Sequence, residues 1–269
     1  MTLLRAYFRR YYWVYLAVAV FFIGSALLTT RTVDAMAVTT RQEQTVCIVI
    51  DPGHGGTDPG AVNGALQEKN VNLEIALKLK TLLQLNGHRV YMAREHDVFS
   101  KPIDRANHAN ALNIDLYIAI HCNSFELNTA HGTETWYYTG SVEGERLADC
   151  IQKSLIRRLR TTDRGIKNTK KYDVLSGSRM TAVLVEPAFI SNPEEKAMLM
   201  DDKFREQVAR AIYDGIRAYS GEEIYYVDED IKTAVQRAYN FSNETIEYLL
   251  SYRFGKELIE RLYEKIKGA

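Results

Sequence analysis

Two histidines and two glutamates stand out because each lies next to the end or the beginning of a predicted element. His54 follows the apolar run IVID and is surrounded by glycines in IVIDPGHGG. Glycine has no side chain and tolerates positive φ, so these glycines leave the imidazole ring approachable. His121 ends DLYIAIHC, Glu186 ends AVLVE, and Glu68 lies just ahead of a predicted helix. The four side chains are therefore candidates for one functional site.

These residue types match the chemistry of a zinc hydrolase. Such enzymes hold the metal through three nitrogen or oxygen ligands, and a nearby carboxylate takes a proton from water. The chain offers four groups for these four tasks. Glu68 near a helix N-terminus is favoured as an anion, which suits a ligand that must be deprotonated. No HExxH motif is present, so the spacing alone does not identify the reaction.

The elements that must position these residues alternate between strands and helices. Short β-branched apolar runs such as TVCIVI and DLYIAI are typical of strands, and VNLEIALKLKTLLQL, from Val71, has helical periodicity. Apolar strands separated by amphipathic helices indicate a sheet that is covered on both faces. We predict an α/β fold with a single mixed, mostly parallel sheet and ligands at the carboxyl ends of its strands. A further strand is predicted over KYDVL, residues 171–175.

The overall composition excludes several classes of protein. The 269 residues include 34 basic and 34 acidic side chains, and this balance gives no indication of a nucleic-acid partner. The three cysteines, Cys47, Cys122 and Cys150, are too few and too irregularly spaced for a disulfide framework or a CxxC metal site. We expect them to be buried free thiols.

The N-terminal residues have the pattern of an export segment. Arg5, Arg9 and Arg10 precede a run without any charge from Trp13 to Leu28. We predict that residues 1–40 are a signal peptide or membrane anchor with a short linker, since the run suits either one. The small-residue sequence AMA lies well beyond the apolar run, which favours retention as an anchor. In both cases the positive-inside bias places the bulk of the protein outside the cytoplasmic membrane.

Residues 221–269 are predicted to form a helical C-terminal extension. The stretches DEDIKTAVQRAY, NETIEYLLSYRF and KELIERLYEKIK each place apolar residues on one helical stripe. Such stripes need a surface to cover. The extension could pack on the preceding domain, bind a regulatory protein or self-associate, and the sequence leaves all three open.

Eight motifs together resemble a known catalytic domain. In order, they are IDPGHGGTDPGAV, QEKNVNLEIALKL, MAREHD, RANHAN, IAIHCNS, GTETWYY, RGIK and VLVEPAFISN. This series resembles the zinc-dependent N-acetylmuramoyl-L-alanine amidases of the Amidase_3 family. The resemblance covers approximately residues 46–219, which suggests a catalytic domain at residues 45–220.

The resemblance implies a role for each candidate residue. It implies one zinc ion bound by His54, Glu68 and His121, with Glu186 as the general base. The implied reaction is hydrolysis of the amide bond between N-acetylmuramic acid and L-alanine in peptidoglycan. Cys122 stands where the family often has alanine, and strand alternation should turn its sulfur away from the metal.

Two other functions remain possible on the sequence. One is a zinc peptidase or carboxypeptidase acting on wall peptides, although the separation of His54 from Glu68 differs from the tight His-x-x-Glu spacing of carboxypeptidases. The other is a wall-binding pseudoenzyme, which the presence of all four chemical groups disfavours. Peptidoglycan, the membrane and a regulatory protein are the expected partners, and the expected location is extracytoplasmic. We also expect Asp51 and Asp58 to fix the glycine loop and to orient His54.

Overall fold

The computed structural model describes residues 45–222, 229–250 and 255–267. The strands are β1 (Cys47–Pro52), β2 (Val62–Asn63), β3 (Leu66–Gln67), β4 (Arg89–Met92), β5 (Leu116–Ile120), β6 (Thr133–Tyr138), β7 (Asp163–Thr169) and β8 (Thr181–Glu186). The helices are α1 (Glu68–Leu85), α2 (Pro102–Asn110), α3 (Val142–Leu159), α4 (Asp173–Ser176), α5 (Pro193–Met200), α6 (Asp202–Tyr219), α7 (Glu229–Tyr239), α8 (Asn243–Leu250) and α9 (Gly255–Lys267).

The central sheet is mixed, as predicted. Its six strands lie in the order β4-β1-β5-β8-β6-β7, and β2 and β3 form a separate antiparallel pair. Strands β4, β1, β5 and β8 pair in parallel, β6 pairs antiparallel with β8, and β7 pairs in parallel with β6. The carboxyl ends of β1, β5 and β8 therefore share one edge of the sheet with the beginning of β6.

Helices cover both faces of the sheet. Strands β1 and β5 are buried along their whole length, and successive side chains point to opposite faces. Ile48 and Ile50 pack into a cluster with residues of α1, α3 and α6. Val49 and Tyr117 pack into a second cluster with residues of α2 and α4. Burial on both faces explains why these strands are continuously apolar.

Two details of the predicted elements are wrong. KYDVL is not a strand, because residues Asp173–Ser176 form the short helix α4, in which Val174 and Leu175 are buried. The strand in this part of the chain is β7, at the end of the sheet order, and its sequence DRGIKNT lacks the apolar alternation of a buried strand. Helix α1 also begins earlier than Val71, at Glu68.

The C-terminal extension contains three helices, as its periodicity predicts. Val235 of α7, Ile246 of α8 and Ile259 of α9 are buried together in a hydrophobic cluster of their own. The apolar faces of these three helices therefore pack against one another.

The predicted export segment at residues 1–40 lies outside the described residues. Among the helices in the described ranges, none is long and apolar enough to cross a membrane.

All three cysteines are free thiols, as expected, but the expectation that all three are buried is wrong for one of them. Cys47 and Cys122 are buried, and Cys150 on α3 is partly exposed.

Candidate active site

His54 lies in a sharply turned segment directly after β1. Its backbone has a φ of 65°, in the left-handed region that non-glycine residues seldom adopt. The ring Nδ1 lies 2.8 Å from Asp58 Oδ2, so Nδ1–H donates a hydrogen bond to an ionised Asp58 and Nε2 is the ring nitrogen that faces Glu68. Asp58 thus orients His54, as expected. Asp51 instead lies within β1, where it accepts a hydrogen bond from the Tyr117 hydroxyl at 2.7 Å.

Gly53 allows the two histidine-bearing segments to meet. A Cβ added to Gly53 would lie 2.2 Å from ring atoms of His121, so any side chain at this position would displace the imidazole. The Gly53 N–H donates to the carbonyl oxygen of Ile120 at 2.9 Å. The end of β1 is therefore in contact with the end of β5, where His121 follows.

Glu68 is the first residue of α1 and is almost fully buried. Its Oε2 accepts the backbone N–H of Ala61 at 2.9 Å, and its Oε1 accepts the backbone N–H of Cys122 at 3.1 Å. Burial opposes ionisation, but hydrogen bonds with His121 and His54 hold the pKa of Glu68 well below its usual range. The side chain is therefore a fixed carboxylate.

His54, Glu68 and His121 converge on one point. Glu68 Oε1 lies 2.9 Å from His121 Nδ1 and 3.2 Å from His54 Nε2, and the three candidate ligand atoms lie within 4.8 Å of one another. Ligands 2.0–2.1 Å from a tetrahedral zinc ion are about 3.3 Å apart, so the spacing fits this ion. His54 Nε2 and Glu68 Oε1 face each other, and a metal cation that replaces the proton between them would be held by both atoms.

Arg94 connects the backbone segment before His54 to the backbone segment after Glu68. The buried guanidinium donates to the carbonyl oxygens of Pro52, Gly53 and Lys69 at 2.9, 3.0 and 2.8 Å. The first two precede His54, and the third follows Glu68. The pattern of the sequence did not indicate this role, since an arginine after a strand is usually solvated.

Glu186 ends β8 at the same edge of the sheet and is 8% exposed. Burial raises its pKa, and the charge and hydrogen bond of Glu134 and the charge of Glu68 raise it further, to about 8. A carboxyl group of this kind can hold and release a proton near neutral pH.

Glu134 was missed by the sequence prediction. It lies near the beginning of β6 and pairs directly with Glu186 across the antiparallel ladder. Although burial opposes it, hydrogen bonds from Arg164 and Lys167 lower the pKa of Glu134 to about 2. An acidic residue within the β-branched and aromatic run TETWYY was the available indication, because buried charges in strands are rare unless paired.

Cys122 points away from the candidate metal site. Its sulfur lies 3.5 Å from Asn72 Oδ1, and the residue belongs to the large hydrophobic cluster under α1. The alternation argument for this residue therefore agrees with the structure.

The chain is similar to known amidases in sequence. It is 39% identical to N-acetylmuramoyl-L-alanine amidase LytC of Bacillus subtilis over 174 residues, which are 64% of this chain and 35% of that relative. The chain thus spans about a third of the length of this relative.

Two solved structures show similarity in three dimensions. One is an N-acetylmuramoyl-L-alanine amidase from Clostridium difficile 630, with a TM-score of 0.63 and 34% identity over 67% of this chain and 99% of that chain. The other is the CwlD amidase from Clostridioides difficile in complex with the GerS lipoprotein, with a TM-score of 0.60 and 32% identity over 66% of this chain and 99% of that chain.

The region that carries the candidate site matches a known protein family. The model of the Amidase_3 family, described as N-acetylmuramoyl-L-alanine amidase, matches residues 48–218. These residues make up more than half of the 269-residue chain. They include the glycine loop and the four candidate site residues, His54, Glu68, His121 and Glu186. The chain therefore belongs to the Amidase_3 family.

Proposed function

We propose that this protein is a zinc-dependent N-acetylmuramoyl-L-alanine amidase that cleaves the amide bond between N-acetylmuramic acid and L-alanine in peptidoglycan. The observation that carries the proposal is the convergence of His54, Glu68 and His121 within 4.8 Å, with Glu186 at the same edge of the sheet. Family membership supports the reaction class.

His54 Nε2, Glu68 Oε1 and His121 Nδ1 would hold the metal. Bound zinc would polarise the scissile carbonyl group and a water molecule, and its charge would favour the ionised form of Glu186. The exposed fractions of the two imidazole side chains are 24% for His54 and 17% for His121. A polymeric substrate can therefore approach the ligands from solvent, whereas Glu68 remains covered.

Glu186 would carry the proton. Its carboxylate accepts a proton from the attacking water as the new C–O bond forms at the lactyl carbonyl carbon. It then donates this proton to the alanine nitrogen as the C–N bond breaks, so that L-alanine leaves as an amine. This transfer requires a pKa close to the working pH, and the burial of Glu186, which raises its pKa above the usual range of a carboxyl group, acts in that direction.

The proposal includes the domain organisation and the cellular location of the protein. We propose that residues 45–220 are the catalytic domain, that residues 221–269 are a helical extension, and that the protein acts outside the cytoplasmic membrane. A regulatory protein is a proposed partner, supported by a related amidase whose structure was solved together with a lipoprotein.

Product analysis with a Glu186→Gln variant tests the proposal. We expect the zinc-loaded protein to release intact stem peptides with a free L-alanine amine from purified peptidoglycan, as detected by mass spectrometry. Glu186→Gln should keep its zinc but lose roughly 10²–10⁴-fold in rate, whereas the exposed Glu145→Gln should behave as the wild type. Shortened stem peptides would indicate a peptidase, and binding without any product would indicate a pseudoenzyme.

A further inference from the structure

We propose that Arg164 and Lys167 form a subsite for a carboxylate group of the stem peptide, beside the edge of the sheet where the amide bond is cleaved. This inference rests on the proposed function and names a chemical feature of the substrate that the same site would select. It assigns a function to two positively charged side chains that the candidate metal centre does not use.

The register of the sheet places both cations close to Glu186. Glu134 of β6 is the direct partner of Glu186 on β8 in the antiparallel ladder. Arg164 Nε donates to Glu134 Oε2 at 2.6 Å, and Lys167 Nζ donates to the same oxygen. Both cations on β7 therefore contact the side chain that neighbours Glu186.

The cluster carries one positive charge in excess. Arg164 and Lys167 contribute two positive charges, and Glu134, whose side chain is 3% exposed, contributes one negative charge. The negative charges of Glu68 and Glu186 would be balanced by the two positive charges of a bound zinc ion. The side chains of Arg164 and Lys167 are 35% and 31% exposed. An anionic group of a ligand is therefore attracted to these two side chains and can reach them from solvent.

The two cationic side chains keep N–H groups that are not used within the described part of the chain. Arg164 Nη1 lies 3.3 Å from the carbonyl oxygen of His131, and Arg164 Nη2 has no hydrogen-bond partner among the described residues. Lys167 Nζ carries three N–H groups, and among the same residues Glu134 is the acceptor that it contacts. Charged N–H groups that are held in place but not saturated are suited to binding a carboxylate.

An aromatic pair and a buried carboxylate hold Lys167 in position. Lys167 Nζ lies 5.3 Å from the centre of the Trp136 ring, in addition to its contact with Glu134. The ring of Tyr172 packs edge-on against Trp136, with 5.4 Å between the ring centres. The ammonium group is therefore ordered before a ligand binds, which lowers the entropic cost of binding.

The spacing of the strands matches the length of a short peptide. Strand β6 lies between β8 and β7, and neighbouring strands are about 4.8 Å apart. An extended peptide advances about 3.5 Å per residue, so a carboxylate on the second stem residue lies about 7 Å from the cleaved bond. The N–H groups that reach from β7 to Glu134 on β6 are within this range. A stem residue that is joined through its side-chain carboxyl group leaves its α-carboxyl group free for the contact.

A purely structural role for Arg164 and Lys167 predicts something different. If they only neutralise Glu134 and tie β6 to β7, their loss lowers the rate on every substrate by the same factor. The two roles are separated by the ratio of kcat/KM between two substrates that differ only in the carboxylate. Effects on zinc or on Glu186 act on both substrates and cancel in this ratio.

Hydrolysis of two soluble muropeptides by the full-length, zinc-loaded protein measures the ratio. The second stem residue has a free α-carboxylate in one muropeptide and a carboxamide in the other. We expect the wild type to have a kcat/KM about 10–100-fold higher for the carboxylate form, which is the range for hydrogen bonds to a charged group. Lys167→Met should lose most of this preference, mainly through slower cleavage of the carboxylate form.

Three further variants complete the test. Arg164→Gln probes the same contact and replaces Lys167→Met if that variant does not fold. Lys167→Arg keeps the positive charge and should keep the preference. Lys203→Met, which removes an exposed lysine of α6, is the matched control and should have the ratio of the wild type.

The outcomes distinguish the subsite from the proposed function. Equal kcat/KM values of the wild type for the two forms, or an unchanged ratio in folded Lys167→Met and Arg164→Gln proteins, would overturn the subsite. Failure of the wild type to cleave either form would instead overturn the proposed function. In that case the Kd of the zinc-loaded Glu186→Gln protein for each muropeptide, measured by calorimetry, still tests the subsite. Tighter binding of the carboxylate form would support it, and equal binding would overturn it.

Discussion

Glu68 is the residue on which the candidate metal site is centred. One of its oxygens lies at hydrogen-bonding distance from both His54 and His121, and backbone N–H groups of Ala61 and Cys122 fix the carboxylate from two other segments. The carboxylate is therefore preorganised before any metal binds, which reduces the cost of ordering the site.

The first prediction compares Glu68 with the residue that orients His54. Glu68→Gln removes a ligand charge and places an amide where an oxygen now accepts N–H groups, so zinc affinity should fall strongly. Asp58→Asn removes only the partner of His54 Nδ1, and losses of such outer partners are typically about 10–100-fold. We expect the larger loss for Glu68→Gln, measured as zinc retained after dialysis against a graded series of chelator concentrations. Equal zinc retention in Glu68→Gln and wild-type protein would contradict the assignment.

At the same scale, the sequence was sufficient to select three residues that the structure brings within 4.8 Å of one another, His54, Glu68 and His121, while their role as metal ligands stays a prediction. His54, Glu68, His121 and Glu186 were selected from residue type and position at element ends. Arg94 was not, because it acts through three backbone carbonyl groups whose convergence depends on the folded loop and not on any local pattern.

At the scale of elements, the contact between the ends of β1 and β5 determines the geometry of the two histidines. The backbone of Gly53 does not have a left-handed φ, so its conformation does not require glycine. The position requires glycine because the ring of His121 occupies the space where a Cβ would lie. Gly140, in contrast, has a φ of 90° and open space around it. One glycine is thus required for close approach, and the other for backbone conformation.

The second prediction uses these two glycines as a matched pair. Gly53→Ala should displace His121 and lower zinc affinity roughly tenfold or more, with a smaller effect on the fold. Gly140→Ala should destabilise the fold by about 1 kcal/mol or more through backbone strain and keep its zinc. Zinc titration and thermal unfolding of both variants separate the two effects. A Gly53→Ala protein with normal zinc affinity would show that His121 can move without leaving the site.

The direction of β6 explains why Glu134 was missed. The rule that functional residues lie at carboxyl ends of parallel strands led to the positions after β1, β5 and β8. Since β6 runs antiparallel to β8, the beginning of β6 lies at that same edge. Strand direction depends on pairing across the sheet, which the periodicity of TETWYY does not encode.

At the scale of the whole molecule, the described chain contains separate hydrophobic clusters. Two of them cover the faces of the sheet, and a third joins α7, α8 and α9. The presence of helices in the extension was predictable from amphipathic periodicity. Their packing partner was not, because an apolar stripe indicates that a surface is needed but not which surface.

The third prediction concerns removal of residues 223–269. Truncation after Glu222 preserves its ion pair with Arg217, at 2.6 Å. Because the extension has a cluster of its own, we expect the unfolding midpoint of the remaining protein to change by less than about 3 °C, equivalent to under 1 kcal/mol, and zinc content to stay the same. Ile246→Asp, which should disrupt only the cluster of the extension, is the matched full-length control. A larger drop on truncation would show that the extension stabilises the catalytic domain directly.

The burial of the cysteines makes the protein suitable for site-selective thiol chemistry. Cys47 and Cys122 are shielded, so a maleimide added to the native protein reaches Cys150 on α3 first. Burial raises the pKa of the Cys150 thiol, so this labelling is slow at neutral pH and faster in mild base. In a Cys47→Ser, Cys150→Ser background, where Cys122 is the remaining thiol of the three cysteines, its modification requires the end of β5 to open. Since the Cys122 N–H donates to Glu68, the rate of that modification measures how often the apo site opens, without any substrate.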